Sequence, residues 1–311
     1  MGIPVVIIRG ILESGKTSFI IDALKNGDFG DLGKTLIFAQ EEGEVEYNAE
    51  ELKKYKSSVV YLDSKEDFNE KFINEKVREF KPHVIFIEAN EMWDFNNLKF
   101  PSYFDVQQVM TIISGETFGA YFNNMRQKFA DMIKASDIVI INRCNPTPET
   151  SSYKRSVKLI NQNVAVLALD NNGKELKLES DLPYSLKDEV IKISLEDFGV
   201  FYIDTFESKD RYKGRIVEFD CMAVFDRKLP KKSFIAGRLA MTCCVDDIEL
   251  IGHLVAYKGD ITIKNKSWIH LKAVVHYLQF KGSKEEQVVF DLLEFNTIET
   301  PNDEKALLTL K

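Results

Sequence analysis

Short apolar runs alternate with amphipathic stretches along the first half of the chain. Residues 3–9, 35–39, 58–62, 83–88, 106–113, 137–142 and 164–169 read as strands. Between them, apolar residues recur at the spacing of one helix face. Phe19, Ile20, Ala23 and Leu24 form one such stripe, Phe68, Phe72, Ile73 and Val77 a second behind a Ser64 cap, and Phe118, Phe122, Met125, Phe129 and Ile133 a third. Thr147, Pro148 and Glu149 supply the cap, first-turn proline and first-turn acid of a further helix. The alternation predicts an α/β domain, a mostly parallel sheet covered on both faces, with the aromatic stripes as its core.

The pattern changes after the Asp170-Asn171-Asn172-Gly173 turn. A polar stretch leads to Asp181-Leu182-Pro183, and a short passage near 195–206 has helical character. Strand-like runs at 216–225, 234–243, 250–257, 268–278 and 288–295 dominate the rest. These are enough for a small closed or nearly closed barrel of OB-like type, with Tyr257, Trp268 and Tyr277 as packing. The expected division is an α/β domain over 1–178, a connecting segment over 179–210 and a β-rich domain over 211–311.

Composition narrows the classes. A chain of 311 residues suits two domains better than one core. The formal net charge of −8 argues against a nucleic-acid partner, because phosphate-backbone affinity rests on Lys and Arg. Lys228, Lys231, Lys232 and Arg238 form a modest basic cluster, read either as a solvated hairpin or as a contact for an acidic partner or single-stranded nucleic acid. No apolar run is long enough to span a bilayer, and the first strand begins at residue 3, so the expected location is the cytoplasm. The four cysteines, Cys144, Cys221, Cys243 and Cys244, have no framework spacing and read as thiols.

Chemistry enters at Gly10-Ile11-Leu12-Glu13-Ser14-Gly15-Lys16-Thr17, a G-x-x-x-x-G-K-[ST] phosphate loop directly after the first strand and before the first helix. Its glycines let backbone N–H groups curl around phosphate oxygens, and Lys16 brings a cation to the β and γ phosphates. Thr17 offers a hydroxyl to Mg²⁺, and the helix carrying Ser18 points its positive end at the same anion. Glu88, ending an apolar run, reads as a carboxylate of the Mg²⁺ shell or as a solvated strand-end acid. Gln40-Glu41-Glu42-Gly43-Glu44 reads as a switch loop or a plain charged turn, and Asn142-Arg143-Cys144-Asn145 lies where a base reader belongs.

These residues resemble the CobW-type GTPases of the CobW/HypB/UreG group over roughly the first 170 positions. Gly10 to Thr17 matches the group's Gly-Phe-Leu-x-Ser-Gly-Lys-Thr loop, and Gln40-Glu41-Glu42-Gly43-Glu44-Val45 echoes its Asn-Glu-x-Gly-Glu-Val switch segment. Glu88-Ala89-Asn90-Glu91 stands for its Glu-x-x-Gly strand end, and Asn142-Arg143-Cys144-Asn145 for its Asn-Lys-x-Asp guanine motif. The resemblance implies Mg-dependent binding and hydrolysis of a nucleoside triphosphate, GTP by descent. Lys16, Glu41 and Glu88 are then the catalytic set, and the expected partner is an unidentified protein, a metal-handling one by this resemblance.

Several departures accompany the match. Asn145 puts a neutral amide where the motif has a carboxylate that accepts from the guanine N1–H and amine. Glu91 replaces a glycine expected near the γ phosphate, which predicts crowding and added negative charge there. Asn48 takes the place of an acid, which predicts a weaker Mg²⁺ shell and slow or partner-dependent hydrolysis. No cysteine precedes Cys144, so the Cys-x-Cys-Cys cluster of metal-carrying members is missing.

Tyr212-Lys213-Gly214, Pro230, Phe234, Arg238, Cys243-Cys244, Asp247, Gly252 and Trp268 form a frame over the last hundred or so residues. In order and approximate spacing it resembles the C-terminal domain of YcgQ-type proteins, which is expected to be OB-like. By this second resemblance the expected partner is a membrane permease. Adjacent cysteines on a strand point to opposite faces. A zinc-type site of Cys243, Cys244, Asp247 and His253 therefore needs a bulge or strand end, and the alternative is one cysteine in the core and one at the surface. The functional alternatives to a switch NTPase are a nucleotide-sensing scaffold without catalysis and an OB-type nucleic-acid binder.

Overall fold

The computed structural model describes all residues except 1, 28–32, 94, 96–97, 177–181, 242–247, 281–285 and 310–311. The chain divides into two compact units, Met1–Glu179 and Ser180–Lys311.

In the first unit β1 (Ile3–Arg9) leads to α1 (Lys16–Asn26), β2 (Thr35–Ala39), α2 (Ala49–Lys54), β3 (Ser57–Tyr61), α3 (Glu70–Phe80) and β4 (Val84–Glu88). Then follow β5 (Phe104–Ser114), α4 (Phe118–Asn124), α5 (Arg126–Lys134), β6 (Ile138–Asn142), α6 (Pro148–Ile160) and β7 (Ala165–Ala168). The seven strands form one parallel sheet in the order β3-β2-β4-β1-β5-β6-β7. Both faces are buried. Val6 and Ile8 of β1 pack with Ile20 and Phe86 in one core, while Val5 and Ile7 pack with Phe38, Ile73 and Ile87 in the other. This double burial is why the strands read as continuous apolar runs rather than alternating ones.

Two helices differ from expectation. The run behind Ser64 is split because two capping residues follow one another: Ser64 caps a 3-10 turn over Lys65–Asp67, and Asn69 caps α3 by accepting from the Phe72 amide at 3.0 Å. The stripe from Phe118 to Ile133 breaks at Met125, whose φ of −127° and ψ of 36° leave the helical region. Phe118, Phe122 and Phe129 nonetheless meet as one aromatic cluster, with ring centroids 4.9–5.9 Å apart.

The second unit contains β8 (Val190–Ile193), α7 (Phe198–Glu207), α8 (Lys209–Tyr212), β9 (Ile216–Val224), β10 (Ser233–Met241), β11 (Ile248–Ala256), β12 (Ser267–Gln279), β13 (Glu286–Thr297) and β14 (Leu307–Thr309). β9 to β13 close into a five-stranded barrel in the order β9-β10-β11-β13-β12, with β12 returning to β9 and only β11 and β13 parallel within it. Residues 182–210, expected as part of a connector over 179–210, group with this unit. β8 pairs in parallel with the first half of β9, and α7 buries Phe198 and Phe201 against Phe219. α7 buries Phe198, Phe201, Tyr202 and Ile203, so this passage packs rather than links. Among the described residues no helix is long and apolar enough to cross a membrane.

Candidate functional site

The phosphate loop leaves the C-terminal end of β1, the middle strand of the sheet, and runs into α1. Gly10 has φ +146°, and a Cβ there would lie 2.4 Å from the Ile112 carbonyl oxygen and 2.5 Å from Ser14 Oγ. Gly15 has φ +97°, and its Cβ would lie 2.6 Å from Asn142 Nδ2. Both conformations and both clearances exclude a side chain. Gly15 also occupies the cap position of α1 without any side-chain cap, so the first-turn amides keep their capacity for an anion. Lys16 is buried and donates to the carbonyls of Gly10 and Ile11 at 2.9 Å each and to Glu41. Ser14 Oγ, buried in the same loop, has no hydrogen-bond partner among the described residues. An uncapped helix end, a buried ammonium and an orphaned hydroxyl fit a polyphosphate.

Glu88 ends β4 fully buried. Its Oε1 accepts from Thr17 Oγ1 at 2.7 Å and its Oε2 from the Tyr47 hydroxyl at 2.6 Å. Burial and the Glu88 charge hold the Tyr47 phenol well above its ordinary pKa, so Tyr47 stays a donor. The carboxylate is thus aimed by tyrosine at the loop hydroxyl, and hard oxygen donors of this kind suit Mg²⁺.

The segment after β2 runs beside this pair. Burial raises the Glu41 pKa, opposed by the charge of Lys16. Gln40 and Asn90 brace each other: Gln40 Oε1 accepts from the Asn90 amide at 3.1 Å, and Asn90 Nδ2 donates to the Gln40 carbonyl at 3.3 Å. Asn48 is not part of this site. Its Oδ1 caps α2, accepting from the amides of Glu50 and Glu51 at 3.0 Å. Glu91 likewise does not crowd a phosphate, because its carboxylate turns inward to a two-pronged pair with Arg9 at 2.7 and 2.8 Å.

The loop after β6 is pinned to the phosphate loop. Asn142 Nδ2 donates to the Ser14 carbonyl at 2.9 Å, and Arg143 donates to the Glu13 carbonyl at 3.2 Å from a backbone with φ +52°. Cys144 is buried, its thiol pushed up by burial to about 11, and is therefore packing rather than a nucleophile. The Asn145 carbonyl accepts from the Thr147 amide at 2.8 Å and the Thr150 hydroxyl at 2.6 Å, while its side chain is exposed. Ser18 lies half-buried in the first turn of α1.

In the second unit, Cys243, Cys244 and Asp247 lie outside the described residues. His253 is buried among Phe290, Tyr202 and Phe206, at ring centroid distances of 4.7, 5.0 and 5.3 Å. The Thr205 hydroxyl spends its proton on the Tyr202 carbonyl at 2.7 Å, so at 3.2 Å it accepts from His253 Nε2–H. Among the described residues no group of three or more His, Cys, Asp or Glu could hold a metal ion. Arg238 leaves the expected basic surface cluster: it is buried, donates to the carbonyls of Leu195 and Lys305, and its guanidinium lies 5.9 Å from the ring centroids of Phe198 and Trp268.

Sequence reasoning passed over Arg9, Tyr47 and the Gln40–Asn90 brace. A lone arginine ending a strand of apolar residues, and a tyrosine inside an otherwise acidic segment, were the available signals.

Known proteins carry similar sequences, and solved structures align with parts of the chain. The model described as DUF1980 C-terminal domain matches residues 169–305. UPF0703 protein YcgQ of Bacillus subtilis (strain 168) is 27% identical over 136 residues, 44% of this chain and 47% of the relative, so the chain spans about half the length of that curated relative. Solved structures that align include the hydrogenase maturation factor HypB from Archaeoglobus fulgidus, with TM-score 0.40 and 16% identity over 55% of this chain and 83% of that one. Zn(II)-bound YjiA GTPase from E. coli aligns with TM-score 0.40 and 11% identity over 76% and 86%. HypB from Helicobacter pylori in complex with nickel aligns with TM-score 0.36 and 15% identity over 55% and 80%. The model described as CobW/HypB/UreG, nucleotide-binding domain, matches residues 4–168, more than half of the chain, and the chain belongs to that family.

Proposed function

We propose that this chain binds a magnesium nucleoside triphosphate, GTP by family, and hydrolyses it slowly in the cytoplasm as a switch read by a metal-handling protein or a membrane permease. The cradle between β1 and α1 carries the reading: two positions that exclude a Cβ, a buried Lys16, an orphaned Ser14 hydroxyl and an uncapped helix end. In this reading the amides of 13–18 and Lys16 hold the phosphates. Thr17 and Glu88 hold Mg²⁺, which supplies charge neutralisation at the phosphate oxygens. Asn142 and Arg143 brace the base loop, and Asn145 faces the base. Glu41 sits on the segment that senses whether the loop is filled.

Calorimetry with Mg-GTP tests the reading. Lys16→Ala and Thr17→Ala are expected to abolish binding, and binding unchanged in both rejects it. A nucleotide sensor without turnover is the second reading. It is favoured by the Arg9–Glu91 pair, which ties the segment after β4 to a buried anchor instead of leaving it free to respond to a phosphate. Single-turnover phosphate release separates the two, since a sensor binds but releases nothing above background.

A further inference from the structure

An ammonium group has three N–H donors. In this protein all three of Lys16 are spent, on the carbonyls of Gly10 and Ile11 and on the carboxylate of Glu41. The two carbonyls belong to the phosphate loop and stay with the lysine. Glu41 does not: it stands just past β2, in a stretch from 40 to 48 that is neither helix nor strand. It is also the one partner of the three with a negative charge, which is the property a phosphate oxygen brings.

A second contact fastens the same stretch from the opposite direction. Glu13, in the phosphate loop, accepts through Oε1 from the backbone N–H of Glu44 at 2.9 Å. Gly43 lies so close that a Cβ on it would come within 2.6 Å of that oxygen. A loop cation thus holds a carboxylate of the segment, and a loop carboxylate holds an amide of the segment. Lys16 is nearly inaccessible, and removing its counter-charge without replacing it would leave a buried unpaired charge. A phosphate oxygen, carrying the same sign of charge as the Glu41 carboxylate, is the kind of group that would replace it at Lys16.

We propose that residues 41–44 form an autoinhibitory strap across the phosphate loop, in which Glu41 competes with the triphosphate for Lys16 and Glu13 latches the strap through Glu44. The strap rests on the nucleotide reading above and adds its regulation. Only ligands with enough anionic charge to displace a carboxylate enter, and a partner that draws the segment aside tightens nucleotide binding without touching the nucleotide. The apparent affinity of the native protein is its intrinsic affinity reduced by the fraction of molecules with the strap open.

Calorimetry with Mg-GTP on the full chain tests this, with circular dichroism to establish that each variant folds. Glu41→Gln keeps the shape and removes the charge, and is expected to bind roughly tenfold tighter than the native protein. Glu13→Ala and Gly43→Val change half-buried or exposed positions and open the latch, and each is expected to tighten binding about threefold. Combining Glu13→Ala with Glu41→Gln should give less than the product of the two gains, because a strap already open cannot open twice. Binding by Glu41→Gln alone, with none by the native protein, also supports the strap. Native binding with no tightening in Glu41→Gln overturns the strap and leaves the nucleotide reading intact. No binding by the native protein or any variant overturns both.

Discussion

Arg9 and Glu91 form a buried two-pronged ion pair: Nε meets Oε1 at 2.7 Å and Nη2 meets Oε2 at 2.8 Å, with both side chains at most 3% exposed. Phe95 lies 4.9 Å below the guanidinium, and Lys128 donates to the Glu91 carbonyl at 2.6 Å. Each residue alone looks out of place, an arginine ending an apolar strand and a glutamate where the family resemblance expects glycine. Together they neutralise one another and tie the end of β1 to the turn after β4.

Breaking this pair from one side leaves a buried charge without its partner. Arg9→Met and Glu91→Leu are each expected, alone, to destabilise the first unit by about 3–5 kcal/mol. Replacing both with apolar residues of similar volume, Arg9→Met with Glu91→Leu, should cost far less than the sum. Urea unfolding of the four proteins in a double-mutant cycle measures the coupling; additive costs would falsify the pairing as the reason both residues are there.

Tyr47 aims Glu88 at Thr17 through a 2.6 Å hydrogen bond. Removing the hydroxyl in Tyr47→Phe keeps the ring packed against Tyr61 but frees the carboxylate to rotate. Orienting partners of this kind are worth about tenfold in metal affinity. The expected result is a tenfold higher Mg²⁺ requirement for nucleotide binding with little change in metal-free affinity. A Mg²⁺ titration at fixed nucleotide reads this directly, and an unchanged requirement removes Tyr47 from the site.

His253 makes the second unit sensitive to acid. Burial lowers its folded pKa from an ordinary value of 6.5 to about 3, and its neutral Nε2–H tautomer is fixed by Thr205. Above pH 6.5 the imidazole is neutral whether the chain is folded or unfolded, so the stability is fully present there. As pH falls from 6.5 towards 3 the unfolded chain takes up a proton that the folded chain refuses, and stability is lost through that window. By pH 4 the loss is roughly 3 kcal/mol. In a Trp93→Phe background, Trp268 fluorescence during urea unfolding should show this slope. His253→Gln, which can still donate to Thr205, should flatten it; an equal slope in both would place the acid sensitivity elsewhere.

Much of this was legible in the sequence. The parallel sheet could be read because doubly buried strands leave apolar runs bounded by polar turns, and β1 and β2 fall where those runs begin and end. The phosphate loop could be read because its chemistry is local, needing only glycines, a lysine and a threonine in eight consecutive positions. What escaped is non-local. Nothing in the order of residues says that Glu91 would turn back to Arg9, that Asn48 would cap α2, or that Arg238 would leave a basic hairpin for the interior. Each outcome depends on which distant partner satisfies a charge or an amide, and that is decided by packing. β8 escaped for the same reason: it becomes a strand by pairing with β9, which a four-residue run cannot announce.

In the proposed nucleotide reading, Asn145 is the position at which base choice is expected to change. Its backbone carbonyl is fixed by Thr147 and Thr150 and its side chain is exposed, so substitution should leave the loop in place. The reading edge of guanine offers two donors side by side, N1–H and the 2-amine. A carboxylate accepts both, whereas an amide accepts one and turns a donor towards the other. Hydrogen bonds to a charged acceptor contribute about 1.5–3 kcal/mol, so Asn145→Asp should tighten GTP binding about tenfold or more and leave ATP nearly unchanged. Xanthosine triphosphate, with an oxygen in place of the amine, should reverse the order: the native amide gives it one acceptor and one donor to match, and the carboxylate repels it. A calorimetric panel of the three nucleotides against both proteins gives the ranking, and identical rankings would mean that residue 145 does not touch the base.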